Sequence, residues 1–460
     1  MSESTETHLE GLQKFFDDLP EGNITDNDKT VFTRLYKQFL TEKATIDWNS
    51  WKLPPAERFI DASGLPEIEE GEQKDLLERL AVVRLNGGLG TTMGCRGPKS
   101  LIKVKADRSF LEIAVDQIEH VNSKHDTKVP LLLLDSFNTS AETAEALEHL
   151  GVAHKLTKVR QFEQSKCPRI YADTLLPVDG HEDEAWYPPG HGNIFETLLY
   201  TAVADELLEE GHDVLFVSNI DNTGAIVDAR FVKALLENDH EYIMEVTPKT
   251  PADIKGGTLI QIEDRIMHLE MPQVPPEGID EFCSTKTFKI FNTNNIWINL
   301  KAVRPRLDEI MREIIANKKK LSDGTPIIQL ETSIGGAIRN FPNACALNVG
   351  RSRFLPVKRT QDLLVISSDA FELDENVNVK LAEGLESAPH VSLSSEFDAL
   401  PEFQKRIPEI PSLIDLKNLK VAGNVVFGKS VVLKGNVELI AEEGEELVIE
   451  DETVIEGGDY

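Results

Sequence analysis

Cysteine is scarce in this sequence, with four residues in 460, at positions 95, 167, 283 and 345, and no C-x-x-C pair among them. That spacing offers neither a disulfide framework nor a cysteine-ligated zinc site, and reduced thiols are the expectation. Long apolar runs are missing too. No window approaches the roughly eighteen consecutive apolar residues of a membrane span. The opening Met1-Ser-Glu-Ser-Thr-Glu has neither the basic nor the apolar region of a secretory signal, so a cytoplasmic location without membrane attachment is expected. Positive charge is outnumbered, at 48 Lys and Arg against 79 Asp and Glu, for a formal net charge of −31. Nucleic acid and anionic membrane would both be repelled, over a Debye length of about 8 Å at physiological salt. What remains is a hydrophobic share of 40% and a charged share of 28%, the composition of a soluble globular chain. At this length two or three domains are expected.

Against the acidic background, cations recur inside glycine-bearing motifs, and the densest is Arg84-Leu-Asn-Gly-Gly-Leu-Gly-Thr-Thr-Met-Gly-Cys-Arg-Gly-Pro-Lys99-Ser100. It follows the β-branched pair Val82 and Val83 and places five glycines and a lysine in one loop. Glycines remove Cβ atoms where backbone N–H groups approach an oxyanion, and Pro98 stiffens the segment presenting Lys99 as a point charge. The loop is neither a Walker loop, since Lys99 follows Pro98, nor a G-x-G-x-x-G dinucleotide turn opening a helix.

Organisation changes along the chain. Apolar positions at helical spacing (Leu9, Leu12, Phe16, Leu19, then Val31, Phe32, Leu35, Tyr36, Phe39) predict two amphipathic helices separated by Pro20. From about residue 75 to 350, short apolar runs alternate with helical stretches. Ala81–Val83, Pro130–Leu134, Asp213–Val217, Tyr242–Val246 and Ile296–Ile298 read as strands. Ser109–Asn122, Ser140–Leu150, Phe195–Leu208 and Ala302–Asn317 read as helices. The alternation predicts an α/β domain with a largely parallel sheet, whose ligands lie beyond the carboxyl ends of the strands, where loops 84–99, 135–139 and 218–222 fall. From Leu416 onward, glycines and apolar residues return every five to seven positions, as in a hexapeptide β-helix. The last twenty residues hold nine acids and no Lys or Arg.

The glycine loop resembles the nucleotide-binding loop of eukaryotic-type UTP–glucose-1-phosphate uridylyltransferases, also called UDP-glucose pyrophosphorylases. Phe162-Glu-Gln-Ser-Lys-Cys-Pro-Arg-Ile170, Trp186-Tyr-Pro-Pro-Gly-His-Gly192, Val217-Ser-Asn-Ile-Asp-Asn222, Lys255-Gly-Gly-Thr258, Phe291-Asn-Thr-Asn-Asn295 and Arg351-Ser-Arg-Phe-Leu-Pro-Val-Lys358 are similar to that family's other landmarks, in the same order. Together they cover roughly residues 80 to 440. The resemblance implies a helical arm over 1–55, a Rossmann-like nucleotide-diphosphosugar transferase domain with a mixed, mostly parallel sheet over 56–355, and a domain with a left-handed β-helix over 356–460. It also implies conversion of UTP and α-D-glucose 1-phosphate to UDP-glucose and pyrophosphate, with Mg²⁺ as cofactor. A monomer and a homo-oligomer assembled through the carboxyl-terminal domain both stay open.

The chemistry these substrates demand is the management of charge, because nucleophile and electrophile are both anionic. A phosphate monoester has its second pKa near 6, so at pH 7 the attacking oxygen needs no general base. Holding it in line with the α-phosphorus and neutralising developing charge is what remains. By resemblance, Lys99 contacts the departing phosphates, Lys358 is a second cation reaching them from across the cleft, and Asp221 binds Mg²⁺ with Asn219 as companion polar contact. Leu85, Gly87, Gly88 and Gly190 are expected around the base, with Gln164 presenting an amide that both donates and accepts, as a pyrimidine edge requires. His191 is expected as a neutral donor to the sugar phosphate. Glu270 and Asn295 resemble the family's hexose-binding pair, with a backbone contact from Gly257. The residues alone also allow Asp221 to cap the next helix, His191 to be a satisfied loop histidine, and Arg351 and Arg353 to pair with surplus carboxylates instead of guiding anions. Rival functions are a uridylyltransferase for galactose 1-phosphate or an N-acetylhexosamine 1-phosphate, and a catalytically silent nucleotide-sugar-binding protein.

Overall fold

Strands that are buried at every position have no solvent face to offer, and here they form the centre of the molecule. A computed structural model of the chain describes residues 3–42, 45–179, 184–250, 253–310 and 314–459. We label the strands of its largest sheet β1 (Phe59–Asp61), β2 (Leu80–Leu85), β3 (Leu131–Asp135), β4 (Val159–Glu163), β5 (Val214–Asn219), β6 (Tyr242–Pro248), β7 (Ile290–Asn299) and β8 (Ala344–Asn348). Their spatial order is β1-β8-β6-β7-β5-β2-β3-β4, and only β7 runs against the others. Alternation along each central strand feeds two cores. Leu80 and Val82, Leu131 and Leu133, Val214 and Phe216 enter one of them. Ala81 and Val83, Leu132 and Leu134, Leu215 and Val217 enter the other. A sheet covered on both faces, with parallel strands, is the doubly wound arrangement that the alternating pattern predicts. Trp297 on the reversed strand stacks on Phe216 at 4.1 Å, which ties β7 to β5.

The helices have sequence-encoded ends. Phe110–His125 begins with a capping box in which Ser109 and Glu112 satisfy each other's backbone N–H groups. Asp26–Thr41 begins with the same device, built from Thr25 and Asp28. That helix and Glu3–Asp18 form the amino-terminal arm. Its apolar stripe (Leu12, Phe16, Phe32, Leu35, Tyr36) packs against Cys167, Tyr187 and Leu330.

The chain departs from its helical expectations in two places. The predicted helix Ala302–Asn317 is a short helix, Leu307–Ile310, followed by a strand, Ile315–Lys320, with 311–313 outside the described residues. The strand pairs antiparallel with Pro326–Glu331, whose Ile-Ile-Gln-Leu run is a better β partner than a lone helix would be; tertiary pairing overrides the local period. The predicted helix Phe195–Leu208 is two helices, Ile194–Tyr200 and Val203–Glu209, broken where Ala202 takes a left-handed conformation at φ 60°. Strands β1, β4 and β8 were not anticipated, since β4 reads Val-Arg-Gln-Phe-Glu and carries little apolar signal.

Beyond residue 390 the strands stack in parallel. His390–Leu393, Leu416–Ala422, Val432–Ile440 and Val454–Asp459 form one sheet, and Asn424–Phe427 pairs with Glu446–Ile449 in another. Their inward residues, among them Leu419, Val421, Val425, Phe427, Leu433 and Leu439, belong to the same apolar cluster as one face of the central sheet. Among the described residues no helix is long and apolar enough to cross a membrane.

Candidate active-site cleft

Parallel strands deliver their following loops to one edge, and β2, β3, β4 and β5 meet there around a cleft of about 440 Å³. Leu85, Gly87, Gly88 and Lys99 line it from the glycine loop, Asn138 from the β3 loop, Gln164 from just past β4, and Asn219 and Asp221 from the end of β5. Gly190 and His191 close it on another side. The glycine loop folds back on itself, with a bridge between Leu89 and Pro98 and a backbone bond from Lys99 N–H to the Gly88 carbonyl, so residues 88–99 become one contiguous lip. Its base is pinned by Asp135, whose carboxylate accepts from Asn86 Nδ2 at 2.6 Å and from Gln161 Nε2 at 2.6 Å. Burial pushes the Asp135 carboxyl up to about 6.

Close approach explains Gly87. A Cβ there would stand 2.2 Å from Gln164 Nε2, so any side chain would displace that amide. Gln164 is 9% exposed, and its Oε1 has no hydrogen-bond partner. A buried amide oxygen without a donor is costly unless a ligand supplies one. Gly190 sits at φ +83°, with the Thr332 carbonyl oxygen 2.5 Å from where its Cβ would be, so both conformation and space require glycine.

Charge in the cleft is concentrated in two groups. Lys99 Nζ is paired with Asp221 Oδ2, both side chains mostly buried. A second charged group in the lining is Arg169, Lys319 and Glu331, neighbours of one another. Burial raises the Glu331 carboxyl and lowers the Arg169 guanidinium. Arg169 also donates to the Glu184 carbonyl, which fixes its direction. Lys358 does not line the cleft. Its segment is held beside Asp221, since Val357 N–H donates to the Asp221 carbonyl and Pro356 bridges Asn222, but the Lys358 side chain is exposed, with its ammonium 5.8 Å from the Phe354 ring.

The far end of the cleft differs from expectation. His191 Nδ1 accepts from Ile334 N–H at 3.0 Å, which leaves the proton on Nε2, and burial lowers its pKa. The charge of Glu270 reaches both His191 and Glu331. Glu270 itself lines a narrow slot with His268 and Ser333, its Oε1 3.4 Å from His268 Nδ1. Both ring nitrogens of His268 and the hydroxyl of Ser333 are buried without hydrogen bonds. Gly257 borders the slot by leaving room for that imidazole: its Cβ would lie 2.3 Å from His268 Nε2. Asn295, expected at the sugar, is turned inward. Its amide accepts from Asn222 Nδ2 at 3.0 Å and donates to Glu245 Oε2 at 3.1 Å and to the Arg353 carbonyl at 3.2 Å. Adjacent strand residues face opposite ways, and it is Asn294, left-handed at φ 62°, whose Nδ2 reaches Asn219 Oδ1 at 2.9 Å. Arg351 and Arg353 are absorbed by ion pairs, with Asp253 and Glu245.

A family model described as UTP–glucose-1-phosphate uridylyltransferase matches residues 29–434. A barley (Hordeum vulgare) protein of that name is 44% identical over 447 residues, covering 95% of this chain and 94% of the relative. The chain belongs to the UTP–glucose-1-phosphate uridylyltransferase family. The potato (Solanum tuberosum) member is 45% identical over 446 residues, covering 95% of this chain and 93% of the relative. Among solved structures, a UDP-glucose phosphorylase from Trypanosoma brucei superposes with TM-score 0.85 at 32% identity, covering 99% of both chains. A point mutant of UDP-glucose pyrophosphorylase from Leishmania major, in complex with UDP-glucose, gives TM-score 0.87 at 28% identity, covering 98% of this chain and 99% of that one. Within the family frame, the cleft residues that sequence reasoning missed are Lys319, Glu331 and Asn138, together with the slot residues His268 and Ser333. Lys319 and Glu331 lie on the two strands hidden under a predicted helix and its neighbour, so nothing in the local pattern marked them.

Proposed function

We infer that the chain is a UTP–glucose-1-phosphate uridylyltransferase, joining UTP and α-D-glucose 1-phosphate into UDP-glucose and pyrophosphate by direct displacement at the α-phosphorus. The observation that carries this reading is the Lys99–Asp221 pair, set at the mouth of the glycine loop beside the unmet amide oxygen of Gln164. That oxygen suits an N–H of the uracil edge, with Leu85, Gly87, Gly88 and Gly190 giving the base room and Asn219 facing the sugar or ribose. Lys99 can exchange its carboxylate for phosphate oxygens when a polyphosphate enters, and Arg169 and Lys319 bring positive charge from the second group in the lining. Lys358 is the second cation only if its exposed side chain swings over the neighbouring Asp221 loop.

The attacking phosphate oxygen is already ionised at pH 7, so the protein's task is alignment. His191, neutral and protonated on Nε2, donates to that phosphate. The slot of Glu270, His268 and Ser333 supplies the donors and acceptors that glucose hydroxyls need, bordered by Gly257.

Asp221 fits a magnesium ion. Among the described residues no group of three or more His, Cys, Asp or Glu can hold a metal unaided. One carboxylate facing a polyphosphate is the donor set that Mg²⁺, which prefers one or two carboxylates plus phosphate oxygens, accepts. Asp221 would hold the ion, which would supply neutralising charge at the phosphates, and Lys99 would pair with phosphate oxygens in place of that carboxylate.

We also read the stacked strands past residue 390 as a short left-handed β-helix, supported by parallel partners 18 to 22 residues apart, as in Asn418 with Asn436 and Asn424 with Glu446. We keep the proposed boundaries at 55/56 and 355/356, the arm docking through Leu12, Phe16 and Phe32 on Cys167, Tyr187 and Leu330 of the central unit. Four free cysteines support a reducing, cytoplasmic setting. The test is pyrophosphate release from UTP with a panel of sugar 1-phosphates. Glucose 1-phosphate should be used most efficiently. Preference for an N-acetylhexosamine 1-phosphate would overturn the sugar assignment, and no release with any sugar would overturn the reaction.

A further inference from the structure

Beside the helix Phe110–His125 lies a second cavity, of about 200 Å³, with Arg84, His120, Lys124 and His125 in its lining and no carboxylate among the lining residues. In a chain with 79 acids and 48 strong bases, four basic groups around one acid-free concavity call for a cause. Arg84 is 2% exposed. Its guanidinium donates to Ser218 Oγ, to the Ala225 carbonyl at 2.7 Å and to Gln117 Oε1 at 3.5 Å, all neutral groups. Glu245, whose charge reaches Arg84, is already held by Arg353 through two bonds of 2.7 Å. A buried guanidinium without a carboxylate is expensive to maintain unless an anion visits it. His120 adds a buried Nε2 with no hydrogen-bond partner. Burial, with Lys124 and His120 beside it, lowers the His125 pKa, opposed by Glu70 from outside the lining. Lys124 Nζ reaches Asn376 Oδ1 at 3.4 Å.

We propose that this cavity binds a phosphate group, held by Arg84 and His120 at its floor and by Lys124 and His125 at its mouth. Several donors converging on a compact dianion, with a planar guanidinium among them, is the arrangement that recognises phosphate. The group can be inorganic phosphate or the phosphate of a small monoester, since the mouth is open beside Lys124. The site is separate from the cleft but not remote from it in the chain: Arg84 is followed directly by Leu85, Asn86 and Gly87, and its partner Ser218 by Asn219.

The experiment is a ³¹P NMR titration with inorganic phosphate, and in a second arm glycerol 3-phosphate, on the full chain saturated with UDP-glucose and free of pyrophosphate, so that the cleft is filled and no turnover occurs. Saturable binding of one phosphate, unchanged in Lys99→Ala and weakened about tenfold or more in the Lys124→Gln/His125→Gln double variant, is the expected result. Binding of the monoester but not of free phosphate would keep the site and assign it to a metabolite. Phosphate binding that vanishes on UDP-glucose loading, that is lost in Lys99→Ala, or that is equal in a double variant folded by circular dichroism, overturns the proposal.

Discussion

The two ends of the cleft are built by different means. The end proposed for phosphate and base is made of consecutive backbone, a glycine lip from β2 with the loop after β5 beside it, and its charges are already paired inside the protein as Lys99 with Asp221. The end proposed for the sugar is made of separate side chains from β7, the hairpin strand Arg265–Leu269 and the segment after Pro326–Glu331, and there the imidazole of His268 and the hydroxyl of Ser333 lack hydrogen-bond partners. Paired charges satisfy each other within the protein and are available for exchange with a polyphosphate. Unpaired hydroxyl and imidazole groups at the sugar end gain only when a polyol arrives. The difference assigns reactivity to one end and discrimination to the other.

The largest test breaks the phosphate end. Lys99→Ala should lower turnover by about 10² to 10³-fold, the scale for removing one charge-stabilising donor from a transition state. The pair is near the surface of the cleft, so the fold should persist in circular dichroism. Near-normal pyrophosphate release would show that the glycine lip is structural only. Next, Gln164→Leu should lower kcat/KM for UTP by roughly tenfold, about one hydrogen bond, while narrowing the gap between UTP and CTP. An unchanged gap would remove Gln164 from base reading.

The sugar end is sharpened by neighbouring asparagines. Asn294→Ala should raise KM for glucose 1-phosphate several-fold with little change in Tm. Asn295→Ala should instead destabilise by about 1–3 kcal/mol, because Asn222, Glu245 and the Arg353 carbonyl lose a buried partner. Kinetics and thermal melts on both variants check the assignment; a KM effect confined to Asn295→Ala would reverse it.

That pair of residues also shows where sequence stops being legible. The glycine lip could be read because its chemistry is contiguous: Gly87, Gly88 and Lys99 lie in one segment, and β2 and β5 carry the apolar signal that sets them at strand ends. Asn294 and Asn295 are adjacent and identical in type, and which one faces the cleft depends on the pleat of β7 and on one left-handed residue. His268 and Ser333 carry no motif, and only folding shows that Gly257 makes room for the first. Lys319 was hidden because the pairing of Ile315–Lys320 with Pro326–Glu331 is a long-range contact that no local period reports. The parallel core and the arm were legible because burial on both faces, or on one helical stripe, leaves a periodic trace.

The smallest expected effect separates positioning from proton transfer at His191. Burial disfavours the imidazolium, and although Glu270 pulls the other way, the folded pKa lies below the ordinary 6.5. The ring is therefore neutral above that value, and with Nδ1 accepting from Ile334 N–H it offers Nε2–H as a fixed donor. The sign for stability follows: a histidine whose folded pKa is depressed favours the folded state when neutral, so its contribution is full above pH 6.5 and is lost as pH falls through the lowered value. For catalysis, kcat/KM should show no inflection from His191 between pH 7 and 9, and any acid limb should follow protonation of the sugar phosphate near pH 6. His191→Gln keeps a donor without titrating, so it should cost only a few-fold in kcat/KM and leave the profile's shape intact. A variant profile that loses a limb present in the parent would make His191 a proton carrier and remove the case for a pre-ionised nucleophile.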